Sequence, residues 1–231
     1  MLNNSIDHSR GTTARVTFSA PPGRMLFEVI DDGVGVFRNV REKLHLPDEF
    51  AAIQEIAKGK ATTAPDRHSG EGIFFTSKML DRFELESGRL RWTVDNLRRD
   101  QAVGDVPLRR GTRVACSIAR DSERTPGEVF EGYTGPGSLA VTESTVSVAM
   151  FETGGAFVSR SEAKRLAHRL EGFEEVRLDF ADVDEVGQGF VDELFRVWAL
   201  DHLGTRLVPL NMSPAVERMV HRSLGEIRSR A

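Results

Sequence analysis

The chain has 231 residues, 39% hydrophobic and 29% charged, which gives room for two modest domains and excludes a disordered chain. Its 31 Lys and Arg against 35 Asp and Glu leave a net charge of −4, a poor balance for a surface that grips nucleic-acid phosphates without sequence preference. A single cysteine forms no internal disulfide, no apolar run nears the ~20 residues of a membrane span, and Met1-Leu2-Asn3-Asn4 lacks a signal peptide's regions, so a cytoplasmic protein is expected.

In the first part of the chain, Ala14–Ser19 and Met25–Ile30 are strand candidates joined by a turn at Pro21-Pro22-Gly23. Phe50, Ile53 and Ile56-Ala57 have helical spacing over Asp48–Lys58, and Gly59 closes that helix. Phe83–Glu86 and Arg89–Val94 flank Ser87-Gly88, which reads as a hairpin turn. Gly111–Ile118 alternates as a strand, which makes Cys116 a small buried apolar side chain. Composition then changes: residues 120–143 hold four glycines and two prolines without periodicity and predict a flexible or loosely packed linker.

Beyond it, Ser144–Met150 predicts a strand, and Ser159-Arg160-Ser161-Glu162 is a capping box ahead of Ala163, Leu166, Ala167 and Leu170 on one helix face. Val176, Leu178 and Phe180 mark the next strand. Phe190, Val191, Leu194, Phe195 and Trp198 mark an amphipathic helix ending at Gly204. Thr205–Leu210 is a last strand, and Ser213-Pro214 opens a last helix. Strands and helices in this order predict an α/β (α+β) chain of domain 1–119, linker 120–143 and domain 144–231.

Three segments and one dipeptide carry the chemistry: Asn3-Asn4-Ser5-Ile6-Asp7-His8-Ser9, Asp31-Asp32-Gly33-Val34-Gly35 after a strand, His68-Ser69-Gly70-Glu71-Gly72-Ile73 before a helix, and Gly111-Thr112 opening a strand. Each alone is compatible with an ordinary turn, loop or solvated terminus. Together, in this order, they resemble the Bergerat ATP-binding fold of the GHKL superfamily over roughly the first half of the chain. The resemblance implies an α/β sandwich that binds ATP with Mg²⁺. Asp31 would accept a hydrogen bond from the adenine amine, as an ionised carboxylate only accepts. Gly33 and Gly35 would let the backbone approach the base, and Thr112 would support the adenine contact. Gly70 and Gly72 would open a phosphate loop at a helix N-terminus. Asn4 would offer its carbonyl oxygen to Mg²⁺.

Residues 38–67 would form the family's mobile lid, and Lys58, Lys60 and Lys78 are either phosphate contacts or solvated surface lysines. His68 stands where many members have a first glycine. In the hydrolytic branches a glutamate one helical turn before the asparagine activates water. That position falls before Met1, so the sandwich reads as incomplete, lacking its first helical turns. Loss of a general base costs ~10²–10⁴-fold in rate, so binding is expected and turnover is left open.

In the second part, Leu178–Phe195 is similar to the STAS-like domain found behind GHKL ATPases in bacterial regulators, and more distantly to STAS anti-sigma-factor antagonists. Val186-Gly187-Gln188-Gly189 lacks the antagonists' phosphorylated serine, and reads either as a strand-to-helix turn or as a helix start exposed to a partner. The resemblance implies an ATP-binding signalling or transcription regulator whose STAS-like domain meets a protein partner. No direct nucleic-acid or membrane contact is expected; regulators with this domain pairing commonly carry a DNA-binding helix-turn-helix upstream. The alternatives are an anti-sigma-type serine kinase or ATPase, and a nucleotide-independent interaction module. A true histidine kinase is disfavoured, since His8 lies inside the asparagine motif and no dimerising phosphoacceptor helix precedes it.

Overall fold

Val29, Val114 and Leu85 stand side by side across three neighbouring strands, as do Phe27, Cys116 and Phe83. These rows form the apolar face of a four-stranded antiparallel sheet in a computed structural model that describes residues 1–61, 70–135, 141–151, 157 and 159–228. The chain divides into two units, Met1–Gly132 and Tyr133–Ala231.

In the first unit the sheet order is β1-β2-β4-β3, from β1 (Ala14–Ser19), β2 (Arg24–Asp31), β3 (Arg82–Asp95) and β4 (Asp100–Ala119). Helices α1 (Leu2–His8), α2 (Val36–Leu44), α3 (Glu49–Lys58) and α4 (Gly72–Met79) accompany it. Asp48 caps α3 by accepting the Ala51 N–H at 2.7 Å, and Gly59 ends it in the left-handed region. Phe37 and Val40 of α2, Ala52, Ile53 and Ile56 of α3 and Phe74 of α4 are buried, the large ones each contributing ~1.5–3 kcal/mol of apolar transfer. The sheet also carries a row of charge: Arg113 meets Glu28 at 2.6 Å and Glu86 at 3.2 Å, and Arg91 and Arg109 also pair with Glu86.

Two sequence expectations change here. Ser87-Gly88 is not a hairpin turn: β3 runs through it with a β-bulge. The turn comes at Asn96–Arg99, where Asp95 Oδ1 accepts the N–H groups of Leu97 (3.1 Å) and Arg98 (3.0 Å). Of the stretch expected as a lid, most of residues 38–58 lie in α2 and α3, which bury Phe37, Val40, Ile53 and Ile56 among others; residues 62–67, with His68, lie outside the described residues. Within 120–143, Pro126–Glu131 is a helix, α5, capped reciprocally by Thr125 and Glu128. Its Phe130 ring lies 5.2 Å from that of Phe75 on α4.

The second unit holds a parallel sheet in the order β5-β6-β7, from β5 (Glu143–Ser147), β6 (Glu175–Asp179) and β7 (Arg206–Leu210). The expected strand to Met150 gives way at Val148 to a 3₁₀ turn, and Phe180 lies just past β6. Ser159 and Glu162 form the capping box that starts α6 (Arg160–Ala167). After β6, α7 (Gln188–Asp192) runs through a π-helical turn, Glu193–Trp198, into α8 (Ala199–Asp201). The last helix, α9 (Pro214–Arg228), starts with Ser213 Oγ accepting the Val216 N–H at 3.2 Å. Val146, Val176, Leu178, Phe190, Leu194 and Val220 are core residues of this unit.

Candidate functional site

Asp31 ends β2 on the sheet's apolar face, 5% exposed, where an unpaired carboxylate would be costly. It is not unpaired: Oδ1 accepts the N–H groups of Gly33 (3.0 Å) and Thr112 (3.1 Å), and Oδ2 accepts the Ser5 hydroxyl at 3.1 Å. A carboxylate has about four acceptor positions, so these bonds leave room for one more donor. The Thr112 Oγ1 accepts the Val36 N–H at 3.1 Å, joining the start of α2 to β4 and keeping its own proton to donate.

Beside this carboxylate lies a cavity of about 370 Å³ in the first unit. Asn4, Asp31, Gly35, Gly70, Gly72 and Thr112 line it, so four separated stretches of sequence meet there. Val36, Val40, Ile73, Leu85 and Val114 give it an apolar wall, and Ser5, His8, Ser9 and Asn39 add polar groups. Such volume and mixture suit a small organic ligand with a polar end. At the α4 end, the side chain of Glu71 at the helix start makes no capping hydrogen bond. A Cβ built on Gly72 would have Asn4 Oδ1 as its nearest neighbour, at 3.9 Å, so the glycine loop and the asparagine face each other.

Gly33 is not among the cavity-lining residues. Its close approach is to α1's exit: a Cβ there would overlap the Ser9 carbonyl, and the next residue's N–H donates to that carbonyl at 2.8 Å. Gly111 is similarly forced, with φ +75° and no space for a Cβ against the Asp31 carbonyl. Lys58 is neither solvated nor at the cavity: it is buried and pairs with Glu55 at 2.6 Å. The Lys78 ammonium lies 5.5 Å from the centre of the Phe74 ring.

Sequence reasoning passed over Asp32, Ser5 and Asn39. Asp32 accepts the N–H groups of Thr12 and Thr13 and the Thr12 hydroxyl at 2.8–3.0 Å. The Thr13 N–H above all, then the two Thr12 groups, hold its carboxyl well below the usual carboxylate range. Asp32 thereby pins the turn that brings α1, and Asn4 with it, over β2. Ser5 follows Asn4 directly, and its position was the signal; Asn39 sits inside the stretch read as a lid.

Among the described residues no cluster of three or more His, Cys, Asp and Glu could hold a metal by itself, and no helix is long and apolar enough to cross a membrane. In the second unit, the Val186–Gly189 turn is anchored by the Gly187 N–H donating to Phe157 C=O at 2.6 Å, and Gln188 at the start of α7 is exposed. Asp192 is tied to Arg196 and, at 3.4 Å, to Arg160. A search of curated proteins gives no match. Residues 162–217 match the family model of a STAS-like domain of unknown function (DUF4325), so the second unit contains a STAS-like domain, which suggests a signalling or interaction role.

Proposed function

We propose that the first unit binds ATP with Mg²⁺ and that occupancy of this site controls the STAS-like domain in a bacterial signalling or transcription regulator. The observation that carries the reading is the cavity where Asn4, Asp31, Gly35, Gly70, Gly72 and Thr112 converge although they are spread over more than a hundred residues of sequence. The free acceptor position of Asp31 fits the exocyclic amine of adenine, and the Val40, Leu85 and Val114 wall fits its ring. The start of α4, where the Glu71 side chain makes no capping bond, fits phosphate oxygens, which favour the positive end of a helix dipole. Mg²⁺ dehydrates reluctantly and is usually held by few protein groups plus phosphate and water, so Asn4 suffices as the protein's ligand. Asp31 is the one carboxylate among the described lining residues and is committed to three hydrogen bonds, so the proposal is confined to binding.

Calorimetric titration of the chain with ATP and Mg²⁺, beside Asp31→Asn, tests this. The asparagine keeps one acceptor oxygen for the Gly33 and Thr112 N–H groups but turns a donor amide towards the adenine amine. A hydrogen bond to a charged group is worth ~1.5–3 kcal/mol, so affinity should fall about ten- to a hundredfold. A well-folded variant that binds ATP as the parent does would defeat the assignment.

A further inference from the structure

All six residues of β1, an outer strand of the sheet, are exposed, whereas its neighbour β2 is half-buried or buried at all but its first residue. Val16 and Phe18 are 54% and 64% exposed, yet their register partners on β2 are Val29 and Phe27, so they continue the apolar face that makes the core. Ile6 and Leu2 of α1, the helix that packs beside β1, are 68% and 42% exposed. An uncovered apolar edge strand is a template for pairing, and soluble proteins normally block such edges.

The alternation of backbone groups says which ones are free. The Asp32 N–H donates to Thr13 C=O at 3.4 Å, so Thr13 and, by the two-residue period, Arg15, Thr17 and Ser19 direct their N–H and C=O groups to β2. Those of Val16 and Phe18 therefore point away from the sheet. We infer that β1 is a homodimer interface, pairing antiparallel with β1 of a second copy about a two-fold axis at Thr17. In that register Val16 of each copy exchanges both backbone bonds with Phe18 of the other, and the two Thr17 residues face each other without bonds.

The strand's pattern is what selects a second copy over an unrelated chain. Its apolar positions are symmetric about Thr17: apolar Val16 meets apolar Phe18, and Arg15 meets Ser19 instead of another Arg15, so no like charges are opposed. A one-residue slip would set Val16 against Thr17 and Arg15 against Phe18, mixing the two faces. The closed pair joins two four-stranded sheets into one and sets Val16 and Phe18 of each copy beside those of the other on one face. The interface does not depend on nucleotide binding.

Sedimentation velocity of the full chain, with Phe18→Glu and Thr17→Cys, tests it. The parent should sediment as a dimer, and Phe18→Glu, an exposed position that leaves the core untouched, should raise the dimer dissociation constant by at least about a hundredfold. Opposed residues of a non-bonded antiparallel pair have Cα atoms ~4.5 Å apart, within disulfide reach, so Thr17→Cys should cross-link under copper–phenanthroline oxidation. The native thiol does not compete, since Cys116 is buried and burial pushes its pKa up to about 12. A parent that stays monomeric, a dimer unaffected by Phe18→Glu, or a dimer in which Thr17→Cys fails to cross-link would each overturn the proposal.

Discussion

Gly33 and Gly72 stand in two glycine motifs that look alike on paper, but a side chain at each would meet different surroundings. At Gly33 the space is filled by the Ser9 backbone, which has nowhere to go because the Asp32 hydrogen bonds hold residues 12 and 13 in place. At Gly72 the nearest atom is 3.9 Å away, ordinary contact distance. Gly33→Ala should therefore cost ~1–3 kcal/mol, as overpacking does, and lower the melting temperature of the first unit. Gly72→Ala should leave that temperature nearly unchanged and weaken ATP binding instead. Thermal melts with and without ATP separate the two, and equal destabilisation by both would contradict this account. Sequence motifs grouped Gly33 with the ligand because they record that a glycine is needed, not which neighbour demands it. Lys58 shows the same limit: its burial depends on Glu55 and on how α3 packs, neither of which a lone lysine in a sequence reveals.

At the scale of elements, legibility followed local signals. The α3 and α6 starts were readable because Asp48, Ser159 and Glu162 satisfy helix N–H groups or their reciprocal partners within a few residues. The same signal stands at α5, Thr125-Pro126-Gly127-Glu128, but its glycine- and proline-rich surroundings argued for a linker. The β3 bulge was unreadable for the opposite reason, since Ser-Gly serves a turn and a bulge equally well and only the partner strand decides. A six-residue helix is too short to persist by itself, so α5 depends on Phe130 against Phe75 and on Arg124 reaching the Met79 carbonyl at 3.3 Å and Asp81 at 3.6 Å. Phe130→Ala should speed amide hydrogen exchange at residues 129–132 about tenfold or more, with little effect in β2 or β4. Unchanged protection would mean that α5 is held by something else.

The whole molecule is two cores in one chain, and the matched residues 162–217 lie wholly inside the second unit, 133–231. Its parallel order β5-β6-β7 follows from strands that alternate with helices, a pattern visible in the sequence. The first unit was harder to read from pattern alone, because its sheet depends on β4, which pairs with both β2 and β3 and so joins residues about ninety positions apart. Since each unit has its own buried residues, the fragment 133–231 should fold alone, giving a cooperative melt and a dispersed amide spectrum. ATP should not move that melt. In the full chain, ATP at a hundred times its dissociation constant adds ~2.7 kcal/mol to whichever unit holds it, a shift on the order of 10 °C for a unit of this size. That shift belongs to the first unit and should shrink to ~0.4–1.4 kcal/mol, about half the parent's or less, in Asp31→Asn at the same ATP concentration. A fragment stabilised by ATP would place the nucleotide on the STAS-like unit instead, and would separate the cavity around Asp31 from the regulation proposed for it.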